Sequence, residues 1–146
     1  MRSFLGRSLC RPRNWIRALL ILMSLWSPRL ARAQTRVIEV LADRDSRYKM
    51  AGLRQPRIEV KAGEPLILRI TAKRGKSWNR DGSIHGFSLL RAGDRSKVPG
   101  WDLLLHPGTQ EFQLTAPAEA GEYQVVCTVI CSDDHEGMNM KFFVLP

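Results

Sequence analysis

Twelve residues near the C-terminus, Cys127-Thr128-Val129-Ile130-Cys131-Ser132-Asp133-Asp134-His135-Glu136-Gly137-Met138, carry two thiols, an imidazole and a thioether at the spacing C-x3-C-x3-H-x2-M. Thiolate and thioether are soft ligands and imidazole is a borderline one, a set that suits copper and above all its monovalent form. Zinc shares the taste for Cys and His but seldom recruits Met. The stretch therefore reads as a copper site, with a structural Cys2His2 zinc site as a competitor. Upstream, in Ile84 to Leu90, His85, Phe87 and Leu89 fall on one face because strand side chains alternate. A His on such a face is ordinarily a core residue bonded to backbone; with the cysteine loop downstream it becomes a candidate ligand. Met140 reads as packing at the start of the last strand, or as a substitute for Met138. His106, before Pro107-Gly108, reads as a turn residue.

The cysteines and the charge must be apportioned between two regions. Residues 1–33 hold seven arginines and no acid, which leaves 16 basic against 14 acidic residues in the remainder. The formal charge of +9 thus belongs mostly to the leader, which disfavours nucleic acid as a partner. That leader has an Arg-rich start, a short apolar core from Ala18 to Trp26, then Pro28 and Ala31-Arg32-Ala33, the layout of a signal peptide cleaved after Ala33. The apolar core is about half of the roughly 20 residues a membrane span needs. Without an Arg-Arg pair, export as an unfolded chain is expected, and the protein is expected in the periplasm. Membrane association arises only if the leader stays as an anchor. Cys10 leaves with the leader, so the mature chain, 34–146, keeps Cys127 and Cys131. A disulfide between them would close a very small loop and stabilise little.

From Gln34 onward the chain alternates short apolar runs with Gly, Pro and charged turns. Strands are expected at 36–41, 57–60, 66–71, 84–90, 101–105, 110–115, 122–127 and 141–145, with 48–53 ambiguous, 73–82 a basic loop and 91–100 a loop. The run Tyr123-Gln124-Val125-Val126-Cys127 puts Tyr123, Val125 and Cys127 on one face and delivers Cys127 to the start of the metal loop. Seven or eight strands with no amphipathic helix predict an all-β domain, an antiparallel β-sandwich with Greek-key connections.

The C-x3-C-x3-H-x2-M loop after a Tyr-x-x-x-Cys strand, with an upstream His-x-Phe strand, resembles the binuclear CuA site of cupredoxin domains. Such domains occur in cytochrome c oxidase subunit II and nitrous oxide reductase. The likeness covers roughly residues 55–146, including Ile58 to Leu66 as the strand-turn-strand before the first ligand. It implies a cupredoxin-like Greek-key β-sandwich that transfers electrons. Cys127 and Cys131 would bridge two coppers, and His85 and His135 would each hold one. Met138 and the backbone carbonyl of Val129 would be weak ligands. Departures are Val129, where the oxidase family usually has Glu, and Ser132, where Gly commonly follows the second Cys. The two membrane helices of the oxidase subunit are absent.

Other chemistries find no support. There is no Ser-His-Asp or paired-carboxylate arrangement and no Gly-rich phosphate loop. The remaining alternatives are a mononuclear blue-copper-type carrier using His85, one cysteine, His135 and Met138, and a copper carrier that supplies an oxidase or reductase. The expected partner is a redox protein such as a c-type cytochrome, or a terminal oxidase or reductase. Asp133, Asp134 and Glu136 are placed to steer a basic partner or are simply a solvated loop. Lys73, Arg74, Lys76 and Arg80 read as a solvated loop. Trp78 and Trp101 read as loop packing, or else as an exposed docking surface.

Overall fold

A computed structural model of the chain describes residues 35–76 and 79–146. The leader and Trp78 lie outside the described residues. Nine strands follow in order: β1 (Arg36–Ala42), β2 (Tyr48–Lys49), β3 (Arg57–Lys61), β4 (Pro65–Ala72), β5 (His85–Arg91), β6 (Lys97–Leu105), β7 (Gly108–Thr115), β8 (Gly121–Val126) and β9 (Asn139–Leu145). One turn of 3-10 helix, His135–Gly137, precedes β9. No described helix is long and apolar enough to cross a membrane.

The strands form two sheets, ordered β2-β1-β4-β7 and β3-β9-β8-β5-β6. Alternation decides which side chains face inward. Ile38, Val40 and Ala42 of β1 and Leu66, Leu68, Ile70 and Ala72 of β4 fill one side of the core. Met140, Phe142 and Val144 of β9, with Tyr123 and Val125 of β8, fill the other. Edge-to-face ring pairs stiffen the core, Tyr48 on Phe87 between the two sheets with centroids 5.4 Å apart and Trp101 on Phe142 within the five-stranded sheet at 5.2 Å. Trp101 is therefore packing, and its indole N–H donates to the Thr115 carbonyl at 3.0 Å. Tyr123 donates to the Glu119 carbonyl four residues upstream at 2.8 Å, the corner that Greek-key sandwiches use to fix a strand entrance.

The all-β sandwich is as expected, but the purely antiparallel pairing is not. β1 runs parallel to β4, and β3 runs parallel to β9. Between β1 and β4 the chain crosses to the other sheet for β3, so β4 returns beside β1 in the same direction and the pair is parallel. The ambiguous 48–53 stretch contributes only the two-residue β2, and β6 begins at Lys97, within the expected loop. Strand β5 departs from alternation: its first six residues are all buried. It lies inside the five-stranded sheet, and its outward residues Gly86 and Ser88 are covered by the loop that follows β8.

Candidate metal centre

His85 opens β5 and is fully buried, at 0% exposure. Its Nε2 lies 3.1 Å from the carbonyl oxygen of Lys73. A carbonyl only accepts, so Nε2 carries the proton and Nδ1 is the bare nitrogen. Nδ1 is buried and has no hydrogen-bond partner. An unpaired lone pair in the interior costs about 1–3 kcal/mol; a metal ion is the partner that would remove this cost. A backbone carbonyl holding the far nitrogen is also the usual way a ligating imidazole is oriented.

One ring nitrogen of His85 and the sulfurs of Cys127 and Cys131 lie within 4.8 Å of one another, and all three residues are buried. Both cysteines are free. Their sulfurs stand 3.7 Å apart, less than twice a metal–thiolate bond of about 2.3 Å, so one ion can bond both at once. Met138, with no exposed surface, brings its Sδ to 4.0 Å from the Cys131 sulfur. The Val129 carbonyl oxygen lies 3.1 Å from the Cys127 sulfur, which puts it beside the pair.

Three local features hold this arrangement. The Cys127 amide donates to the Met138 carbonyl at 3.1 Å and closes the loop at its base. The Gly86 amide donates to the Cys127 sulfur at 3.2 Å. Tyr48, buried against Phe87, donates its hydroxyl to the Gly86 carbonyl. Burial first, and then the charge of the two sulfurs, pushes the Tyr48 phenol above its ordinary range and keeps it a donor.

The two thiols titrate as a unit. The hydrogen bond from Cys127 draws the Cys131 thiol down, against the effect of burial, with His85 and Ser46 assisting. The same bond, followed by burial, pushes the Cys127 thiol up. The pair sheds one proton easily and holds the other, and a soft cation is what displaces the second. Two thiolates, a bare imidazole nitrogen and a thioether are a donor set able to bind copper.

His135 is not in this cluster. It is half-buried on the 3-10 turn, and its Nδ1 lies 3.1 Å from the Ser132 carbonyl oxygen. Met140 faces the core from β9 and His106 is exposed in the β6–β7 turn. Asp133, Asp134, Glu136, Lys73, Arg74, Lys76 and Arg80 are all exposed. Sequence reasoning missed Ser46. This residue of the β1–β2 turn is buried, lies 3.7 Å from the Cys131 sulfur, and is 2.6 Å from the Ser132 hydroxyl. The faint signal was a Ser in a charged turn otherwise made of Asp43, Arg44, Asp45 and Arg47.

No family model matches the chain, and no curated protein matches it by sequence. Solved structures do match it in shape. Auracyanin A, a "blue" copper protein from the green thermophilic photosynthetic bacterium Chloroflexus aurantiacus, aligns with a TM-score of 0.55 at 20% identity. That alignment covers 77% of this chain and all of that one. The fold is cupredoxin-like. A chain of a heme-copper terminal oxidase dimer aligns at 0.51 and 16% identity, over 89% of this chain and 93% of the other. Auracyanin B aligns at 0.50 and 19% identity, over 76% and 89%. At these identities the likeness establishes this cupredoxin fold and leaves the chemistry to the residues.

Proposed function

We propose that this protein is a periplasmic copper-binding electron-transfer protein with a CuA-like dinuclear centre. The observation that carries the reading is His85, with a bare and unpartnered Nδ1 and its ring beside two free thiols, on a fold shared with copper proteins. Bound copper would supply a one-electron couple. His85, Cys127 and Cys131 would hold it, with Met138 and the Val129 carbonyl as flanking donors and His135 as the second imidazole. The interior position of the three central donors excludes water, and their anchorage to β5, β8 and the closed loop restrains movement when charge changes. The leader, cleaved after Ala33, would take the chain to the periplasm.

Ile130, between the cysteines, is 68% exposed and is followed by the acidic Asp133, Asp134 and Glu136. An apolar residue with acids nearby suits a basic redox partner such as a c-type cytochrome, or a terminal oxidase or reductase, by steering the encounter.

One observation favours a second reading. With His135 outside the cluster, the donors already gathered are His85, Cys127, Cys131 and Met138, enough for a single copper. Copper loading followed by metal counting per chain, with optical and paramagnetic spectra, decides: two coupled ions support the dinuclear centre and one supports the mononuclear carrier. Tight Cu(I) binding with transfer to an apo acceptor, and no reversible electron exchange, would point to copper delivery instead.

A further inference from the structure

The Cys127 sulfur receives a hydrogen bond from the Gly86 amide, a donor that no side-chain substitution removes. The Cys131 sulfur is served differently. Its neighbour is the Ser46 hydroxyl at 3.7 Å, which in turn lies 2.6 Å from the Ser132 hydroxyl. The Asp134 amide, which can only donate, sits 3.2 Å from Ser132 Oγ. A metal-bound sulfur carries no proton and can only accept. With a fixed donor at one end and a fixed acceptor at the other, the arrangement that uses each hydroxyl once runs Asp134 N–H to Ser132, Ser132 to Ser46, and Ser46 to the Cys131 sulfur.

We propose that Ser46 and Ser132 form this directed hydrogen-bond chain, and that it withdraws electron density from Cys131 and so raises the reduction potential of the centre. The inference rests on copper binding as argued above. Several features of the turn show that Ser46 is held for this contact. It is buried although it lies among charged residues. Its backbone has φ of 55°, a left-handed setting unfavourable to any residue with a Cβ. The turn is closed by the Asp43 amide on the Arg47 carbonyl at 3.0 Å and the Ser46 amide on the Asp43 carbonyl at 3.2 Å. The Arg47 guanidinium then donates to the Ser46 carbonyl at 3.0 Å. Linked donors polarise one another, so the Ser132 hydroxyl strengthens the bond Ser46 makes to sulfur. Ser46 lies outside the span that resembles CuA domains, and Ser132 stands where Gly is common there. Both serines are positioning residues, acting on a ligand sulfur and not on the metal.

The test uses the copper-loaded protein with Ser46→Ala, Ser132→Ala and the double variant. Losing the donor leaves sulfur electron-rich, which favours the oxidised metal and narrows the sulfur-to-copper energy gap. The midpoint potential of Ser46→Ala is expected to fall, and its sulfur-to-copper charge-transfer band to move to longer wavelength, with copper content unchanged. Ser132→Ala moves both readouts the same way by less, the double variant goes no further than Ser46→Ala, and Ser132→Thr returns towards wild type. Without metal, Ser132→Ala is expected to speed hydrogen exchange at the Asp134 amide. Ser46→Gly removes the hydroxyl while easing the left-handed backbone, and serves if the alanine variant folds poorly. An unchanged potential and band in Ser46→Ala or Ser46→Gly at wild-type copper content overturn the inference. A wild-type protein that takes up no copper overturns the metal reading beneath it, and metal content tells the two failures apart.

Discussion

Gly86 and Thr128 meet backbone to backbone: a Cβ built on Gly86 would lie 2.7 Å from Thr128 Oγ1 and 2.8 Å from the Thr128 amide nitrogen. The glycine lets the loop that follows β8 lie flat on β5, with His85 one residue before the contact and Cys127 one residue before Thr128. Gly86→Ala must push the loop away, because the clash is with the Thr128 backbone nitrogen as well as its hydroxyl, and turning the side chain does not relieve it. The expected cost is about 1–3 kcal/mol, as for an overpacked core. Metal affinity should fall further than stability, since the displacement separates His85 from the sulfurs. Urea titration and a copper-binding competition check the two losses, and an alanine variant with wild-type copper affinity would contradict this account of the contact.

Met138 packs in the core and stands beside the Cys131 sulfur, and packing separates from the proposed metal contact by substitution. Met138→Ala empties a fully buried position and should cost about 2–5 kcal/mol, which would obscure any effect on the centre. Met138→Leu keeps the volume, so less than about 1.5 kcal/mol should be lost, while the thioether disappears. The spectrum and potential of the loaded leucine variant should change although its thermal unfolding barely does. An identical spectrum would demote Met138 to packing.

The parts written in side-chain types were legible in the sequence. Alternation marked β1, β4, β8 and β9 to within a residue or two, and His85 with Phe87 and Leu89 pointed inward as their spacing required. The base of the site could not be read, because it is made of backbone. The Lys73 carbonyl that orients His85 and the Gly86 amide on Cys127 carry no residue identity. Ser46 was hidden by distance, 86 residues from the Ser132 it bonds. The parallel pairs were missed because a strand's own pattern says which face is buried but not which neighbour runs beside it. β6 begins earlier than its apolar run because Lys97 to Gly100 are largely exposed, and the register with β5 shifts between Ser88 and Leu90.

Asp102 should make stability depend on acid. Its carboxylate accepts from Lys97 at 2.7 Å and from Ser88, and Ser88 is bonded to Thr128 of the loop after β8 at 2.9 Å. The Lys97 bond first, then Ser88, holds the carboxyl below its ordinary value of 3.8. A depressed carboxyl stabilises the fold above its unfolded value, and that contribution is lost as pH falls through the folded value. The urea midpoint should therefore fall as pH drops below 3.8, and Asp102→Asn should flatten that part of the curve. Parallel curves for the two proteins would show that Asp102 contributes nothing through its charge.

The two imidazoles should differ in what their loss does to copper content. His85 is already beside the sulfurs with its Nδ1 bare, whereas His135 stands outside that cluster, with its Nδ1 on the Ser132 carbonyl and its Nε2 left as the nitrogen able to bind. His85→Ala removes a ligand from the assembled cluster, and copper binding should fail or weaken by orders of magnitude. His135→Ala should leave one copper on His85, Cys127, Cys131 and Met138 if the wild type holds two, and should leave the count unchanged if it holds one. Cys127→Ser adds a third arm: a dinuclear centre loses both ions because a bridging sulfur is gone, whereas a mononuclear site keeps a weakened one. Metal analysis of the three variants alongside wild type reads all the outcomes, and equal copper in wild type and His85→Ala would remove the imidazole of β5 from the centre altogether.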